Sequence, residues 1–286
     1  MRRKLLRRLA RSGVFNRPAV SIYKRLFAEE GAQELFEART GAVAIDERNA
    51  LYREVQRSCG FDPSLGKIFR TTIRPGHVVF DVGAHVGLYT VLFSRLVGES
   101  GKVFCFEPVE YNRARLQRNL QLNACTNVTV LDKGAGEKTG RVKFHRVKPV
   151  SPNTGVGTIL GTNYFHQHRD LFEETEIDLV TVDEIAESHD VKVDFLKIDV
   201  EGYELHVLKG AQAALAHAPT IVLEFIWSQI PHTGVSAKDY ADYLLKDYEC
   251  FEIFPLFAGA ACPVYLRPYG FDRPNKGENL LCLPRH

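Results

Sequence analysis

Short apolar runs that close on an acid recur along most of this chain. The first is Val78-Val79-Phe80-Asp81, and it leads into Gly83-Ala84-His85-Val86-Gly87, with two glycines four residues apart. Leu88, Val91, Leu92 and Leu96 follow at i, i+3, i+4 and i+8, one face of a helix. The pattern predicts a buried strand turned sharply into a helix through a loop with almost no side chains. Such a loop lets a ligand approach the backbone and the positive helix N-terminus.

The same alternation continues. Strands are expected at His77–Val82, Lys102–Glu107, Asn127–Asp132, Val193–Asp199, Thr220–Phe225, Phe251–Leu256 and Asn279–Leu283. Helices are expected at Leu88–Val97, Asn112–Asn123, Tyr203–Ala216 and Ala237–Asp247, the last opening on a capping-box-like Ser236-x-x-Asp239. Buried strands alternating with helices predict an α/β fold, a doubly wound parallel sheet covered on both faces. Runs at Arg141–His145 and Ile177–Val182 flank residues 147–170, and this region reads as a hairpin insertion with a mobile lip. Residues 1–67 read as a mostly helical extension and residues 68–286 as the sheet domain.

Composition narrows the function classes. The chain has 286 residues, 45% hydrophobic and 25% charged, as soluble globular proteins do. No apolar run approaches the roughly 20 residues of a membrane span. The six cysteines form no CxxC pair, and several sit in apolar runs; they read as buried thiols of a reducing, cytoplasmic compartment. The net charge of +2 conceals nine basic residues and no acid in residues 1–28, so the body is mildly acidic. An acidic body opposes nucleic-acid binding. Arg2 to Arg11, with Leu5, Leu6 and Leu9, would form a short basic amphipathic helix that either contacts an anionic membrane or stays a solvated tail.

Candidate chemistry sits at the strand ends, where doubly wound sheets bind ligands. A nicotinamide loop reads G-x-G-x-x-G. The spacing here is Asp81-x-Gly83-x-x-x-Gly87, without the second glycine, which shifts the weight toward S-adenosylmethionine. Glu107 stands 20 residues after Gly87, placed to accept both ribose hydroxyls. Asp132 closes the third strand, where an adenine would lie. Asp199 closes the fourth, beside the proposed loop, with Lys197 on the same side of the strand. A lysine in an apolar strand needs a partner, and Asp199 or Asp81 is the natural one. Glu201 and Glu204 open the next helix; both suit its dipole, and Glu201 could face a substrate hydroxyl. Glu224 is either a partnered core acid or a site residue. His85 lies inside the glycine loop. No dense metal-ligand spacing occurs, and no metal is expected.

Asp81-Val-Gly83-Ala-His85-Val-Gly87, Phe106-Glu107-Pro108, Asn153-x-Gly155 with Thr158, Leu179-Val-Thr-Val-Asp183 and above all Leu196-Lys197-Ile198-Asp199-Val200-Glu201-Gly202-x-Glu204 resemble the FkbM-type S-adenosylmethionine-dependent methyltransferases. The resemblance covers residues 76–256. It implies a Rossmann-like seven-stranded, mostly parallel sheet whose last strand is antiparallel. It also implies O-methylation of a hydroxyl on a sugar, glycolipid or polyketide-like small molecule. Carried over by position, Asp81, Gly83, Ala84 and Gly87 would line the methionine and ribose end, Glu107 would hold the ribose, and Asp199 and Glu201 would face the transfer centre. The family often has Asn where His85 stands. In the expected mechanism Asp199 is the first candidate base, Glu201 and His85 stand behind it, and Lys197 holds Asp199 in place. The alternatives are a nicotinamide-dependent oxidoreductase of the same fold and a non-catalytic cofactor- or membrane-binding protein.

Overall fold

A computed structural model describes residues 63–148, 157–160, 163–255, 264–275 and 278–285. The expected N-terminal extension up to residue 62, with its basic arm, lies outside them, as do residues 149–156 of the expected lip.

The described chain begins with α1 (Pro63–Thr72), β1 (Val78–Val82), α2 (Leu88–Val97), β2 (Lys102–Phe106), α3 (Glu110–Leu122) and β3 (Val128–Leu131). It continues through β4 (Gly134–Ala135), β5 (Gly140–Val147), α4 (Asn163–Gln167), β6 (Phe172–Val180), α5 (Val182–Ser188) and β7 (Phe195–Ile198). Then come α6 (Glu204–Lys209), α7 (Gln212–Ala216), β8 (Thr220–Glu224), α8 (Ala237–Leu244), β9 (Tyr248–Pro255), β10 (Val264–Pro268) and β11 (Asn279–Pro284).

The main sheet has eight strands in the order β10-β9-β11-β8-β7-β1-β2-β3. Strands β8, β7, β1, β2 and β3 are parallel neighbours, while β11 pairs antiparallel with both β8 and β9. All seven expected strands are present, and the last one runs antiparallel. The eighth, β10, lies on the edge antiparallel to β9. It was hidden because Pro263 and Pro268 bracket a short Val264-x-Leu266 alternation, and edge strands tolerate proline. A charge pair fastens it: the half-buried Arg267 sits opposite the buried Glu252, with Nη2 2.5 Å from the carboxylate.

Both faces of the sheet are covered. Phe80, Leu196, Ile198, Ile221 and Leu223 face one core; Val79, Phe195, Val222 and Leu281 face the other. Helix α1 crosses the boundary expected at residue 67. Its Leu65, Ile68 and Phe69 are buried in the second core, and the Phe69 ring packs edge-on to Phe93 and Phe195.

The helix expected over Tyr203–Ala216 breaks at Gly210 into α6 and α7. A Cβ on Gly210 would lie 1.9 Å from the Gly136 carbonyl oxygen, so only glycine allows the approach that docks β4 here. Helix α8 has the expected capping box of Ser236 and Asp239. Four cysteines of the described residues are free, and Cys250 and Cys282 face each other across β9 and β11 at 3.2 Å. The insertion forms a second sheet, β4-β6-β5, in which β5 and β6 make the expected antiparallel hairpin.

Candidate active site

The carboxyl ends of β1, β2, β7 and β8 open onto a cavity of about 380 Å³. The strand ends contribute Gly83, His85, Glu107, Asp199, Glu201 and Glu224 to its lining. The opposite wall comes from the hairpin, through Phe144, Arg146, Ile177 and Leu179. Sequence reasoning missed this wall. The signal was present as a period-two alternation, with Val142, Phe144 and Arg146 on one side of β5 and the exposed Arg141 and Lys143 on the other.

The glycine loop is fixed by close backbone packing. Gly83 has φ 81°, and a Cβ there would stand 1.8 Å from the Asp199 carbonyl oxygen. The Gly83 and Ala84 amides both donate to the Phe106 carbonyl, at 3.2 and 3.0 Å, which ties the loop to β2. Gly87, at φ 83°, caps α2 against Leu116. Ala84 is buried between α2 and α3 beside Leu116. Neither Ala84 nor Gly87 lines the cavity; both position the loop that does.

Asp81 also departs from its expected place at the donor. It is fully buried, accepts a hydrogen bond from the Thr90 hydroxyl at 2.7 Å, and lies 3.3 Å from the Lys197 ammonium. The cause is register. Asp81 and Lys197 are directly opposite each other on the parallel strands β1 and β7, so their side chains share a face below the cavity. Lys197 bridges Asp81 and Asp199, at 3.3 Å to each, and is itself nearly inaccessible. Burial works against its charge, but Asp199 and Asp81 outweigh it and hold the ammonium above its usual range. Lys197 therefore supports Asp199 from beneath and does not line the cavity.

Glu107 is buried at the mouth of β2. It accepts from the His85 amide at 2.9 Å, the Val109 amide at 2.9 Å and the Asn112 side chain at 3.3 Å. Burial pushes its carboxyl up to about 7 in spite of these donors. His85 adopts a left-handed backbone, φ 51°, inside the loop. Burial lowers its imidazole to about 4, with Asp199 opposing, so the ring is neutral and a weak base. Asp132 is exposed and stands apart from the lining, which Gly134 and Ala135 supply instead.

Acids gather at the far end of the cavity. Asp199 keeps 39% of its side chain exposed. Glu201 sits on a left-handed turn, φ 54°, followed by Gly202 at φ 98°. Burial, and then Asp199 and Glu204, raise Glu201 to about 8. Glu204 holds that turn: it accepts from the Val200 and Gly202 amides, at 3.2 and 3.0 Å, and from the Tyr240 hydroxyl at 3.3 Å. Burial pushes Glu204 to about 7. Glu224 lines the cavity, and its Oε2 is buried without a hydrogen-bond partner. Phe165 stacks on His145, and Trp227 packs edge-on to Phe225. Among the described residues no group of three or more His, Cys, Asp or Glu could hold a metal ion. No described helix is long and apolar enough to cross a membrane.

These ionisations make stability pH-dependent. Glu107 and Glu204, at about 7, and Glu201, at about 8, bind protons more tightly folded than unfolded. Folding therefore weakens as pH rises through that range. His85, at about 4, acts in the opposite sense, but only below its unfolded value of 6.5. The thermal midpoint of the ligand-free protein is expected to fall from about pH 6.5 to about pH 8. Glu107→Gln is expected to flatten part of that fall in a scanning calorimetry series.

Residues 81–250 match the family model described as the methyltransferase FkbM domain. The chain is 30% identical over 168 residues to the hexuronic acid methyltransferase AglP of Haloferax volcanii, an alignment covering 58% of this chain and 61% of that protein. It is 28% identical over 199 residues to the 31-O-demethyl-FK506 methyltransferase FkbM of Streptomyces tacrolimicus, covering 62% of this chain and 74% of that one. A solved structure of methyltransferase FkbM from Methylobacillus flagellatus superposes with a TM-score of 0.45 at 20% identity, covering 88% of this chain and 58% of that chain. The family match takes in more than half of the chain, from the acid of the glycine loop to β9, and with it the chain belongs to the FkbM methyltransferase domain family.

Proposed function

We propose that the chain transfers the methyl group of S-adenosylmethionine to a hydroxyl oxygen of a sugar, glycolipid or polyketide-like molecule. The observation that carries this reading is one cavity lined by the glycine loop, Glu107, Asp199 and Glu201 together. The lining fits the donor in three ways. Glu107, in the lining at the end of β2, suits ribose hydroxyls. Phe144, Ile177 and Leu179 offer apolar surface for a base. The excess of carboxylates, with one Glu224 oxygen left unpartnered, suits a cation. Of the relatives, one is named for a hexuronic acid and the other for 31-O-demethyl-FK506; an oxygen acceptor agrees with the second name.

When bound, the donor supplies a methyl group already activated on a sulfonium. The protein's part is then to position the acceptor and take its proton. Asp199, partly exposed and anchored by Lys197, is the base. Glu201 orients the hydroxyl from the adjacent turn. His85 and Glu107 fix the loop beneath the donor through the bond between the His85 amide and the Glu107 carboxylate. The domain begins no later than Pro63.

The test is transfer of label from methyl-tritiated S-adenosylmethionine to a panel of uronic-acid glycans, glycolipids and macrolide polyketides. Asp199→Asn is expected to cut turnover about a hundredfold or more while S-adenosylhomocysteine still binds. Full turnover in both Asp199→Asn and Glu201→Gln overturns the residue roles. Absence of any cofactor binding overturns the reading itself.

A further inference from the structure

Resting on that reading, we infer that Glu201 and Glu224 form a charge filter that favours the cationic methyl donor over its neutral product. Both line the same end of the cavity, Glu201 from the turn after β7 and Glu224 from the tip of β8. The Lys197 ammonium beneath the cavity is already shared between Asp81 and Asp199. Glu204 is occupied by the turn amides and Tyr240. Across the cavity, Arg146 on β5 is paired with Glu173 at 2.8 Å, and His85 is neutral. Around Glu201 and Glu224 stand Asp199 on β7, Glu204 on α6 and Glu278 just before β11, all acidic, with the Gln229 side chain on Glu201. No cation within the described cavity answers these two carboxyls.

Such an arrangement stores protons. With the cavity empty, burial and the neighbouring acids favour the protonated form of both carboxyls: Glu201 is raised to about 8, and Glu224 is pushed well above its usual range. The donor carries a sulfonium and an ammonium against a single carboxylate; the product has lost the sulfonium charge. A cation at this end ionises the acids and expels protons to solvent. During transfer the C–S bond breaks, its electron pair stays on sulfur, and a C–O bond forms to the acceptor. The hydroxyl proton is then retained by the carboxylate cluster. That leaves a product without the sulfonium charge against a cluster that has regained one proton, so the charge attraction between them is weaker.

Calorimetric titration of the full chain tests this without knowledge of the acceptor. S-Adenosylmethionine and S-adenosylhomocysteine are each titrated from about pH 6 to about pH 9, in two buffers of different ionisation heat. Glu107 and His85 meet the parts common to both ligands, so their contributions cancel in the comparison. At its maximum the donor is expected to release about half a proton more than the product. Its affinity relative to the product should rise about tenfold across the range. Glu201→Gln and Glu224→Gln should each shrink that difference. Equal proton release and equal pH dependence for the two ligands overturn the filter, as does a difference that both variants leave unchanged. If a variant does not fold, the wild-type comparison alone decides. A chain that binds neither ligand contradicts the proposed function; one that binds both with identical proton counts contradicts only the filter.

Discussion

Lys197→Met is expected to lower the unfolding free energy by about 3–5 kcal/mol, because it leaves a fully buried carboxylate without its counter-charge. Asp81 has no exposed surface, and its remaining side-chain partner is the Thr90 hydroxyl. Methionine matches the lysine stem well enough to fill the space, so the loss reports charge and not a cavity. For a domain of this size the midpoint should drop by about 10 °C. Asp81→Asn added to Lys197→Met should restore much of the loss, since the uncompensated charge goes with it. Denaturant titration of the two variants gives the answer. A single variant within about 1 kcal/mol of wild type would mean that the pair does not fix β1 to β7.

Gly83→Ala is expected to abolish cofactor binding. Two independent costs fall on the same methyl group. The first is the left-handed backbone, φ 81°, which disfavours an L side chain by about 1–2 kcal/mol. The second is contact at 1.8 Å with the Asp199 carbonyl oxygen, a backbone atom at the end of a buried strand. Neither side can yield cheaply, so the loop must lift away from β7 and carry His85 with it. Calorimetry with S-adenosylhomocysteine should show at least about a hundredfold weaker binding, since roughly 3 kcal/mol of misplacement separates the two states. Gly98→Ala is the control: that glycine also has positive φ, but its added Cβ would meet nothing within 4 Å. It should cost stability modestly and leave binding unchanged.

Much of this fold is legible in the chain because its signals are local. Apolar runs such as Val78–Val82 and Phe195–Ile198 became strands, and Leu88–Val97 is a helix with the expected bounds. Lys197 needed a partner, and it has both of the expected candidates, Asp199 and Asp81. What stayed hidden depends on contacts between distant segments. The break at Gly210 follows from the approach of Gly136, far away in sequence. Strand β10 is specified by the Arg267–Glu252 pair, which no local period reports. Asp81 looked like a ligand-facing acid because it precedes the loop. It was also one of the two expected partners of Lys197, and the register of β1 on β7 sets it in that role. Asp132 closes its strand as expected but remains exposed, since the chain turns at once into β4 and offers Gly134 and Ala135 to the cavity. The hairpin wall was visible as an insertion, while its inward face depended on which side of β5 met the strand ends.

The most direct measurement is a crystal structure of the chain with S-adenosylhomocysteine. The ribose hydroxyls should lie on Glu107, the base against Phe144, Ile177 and Leu179, and the sulfur toward Asp199 and Glu201. Density for the ligand elsewhere, or a cavity left empty at saturating ligand, would contradict the assignment of this site as the methyl-donor pocket.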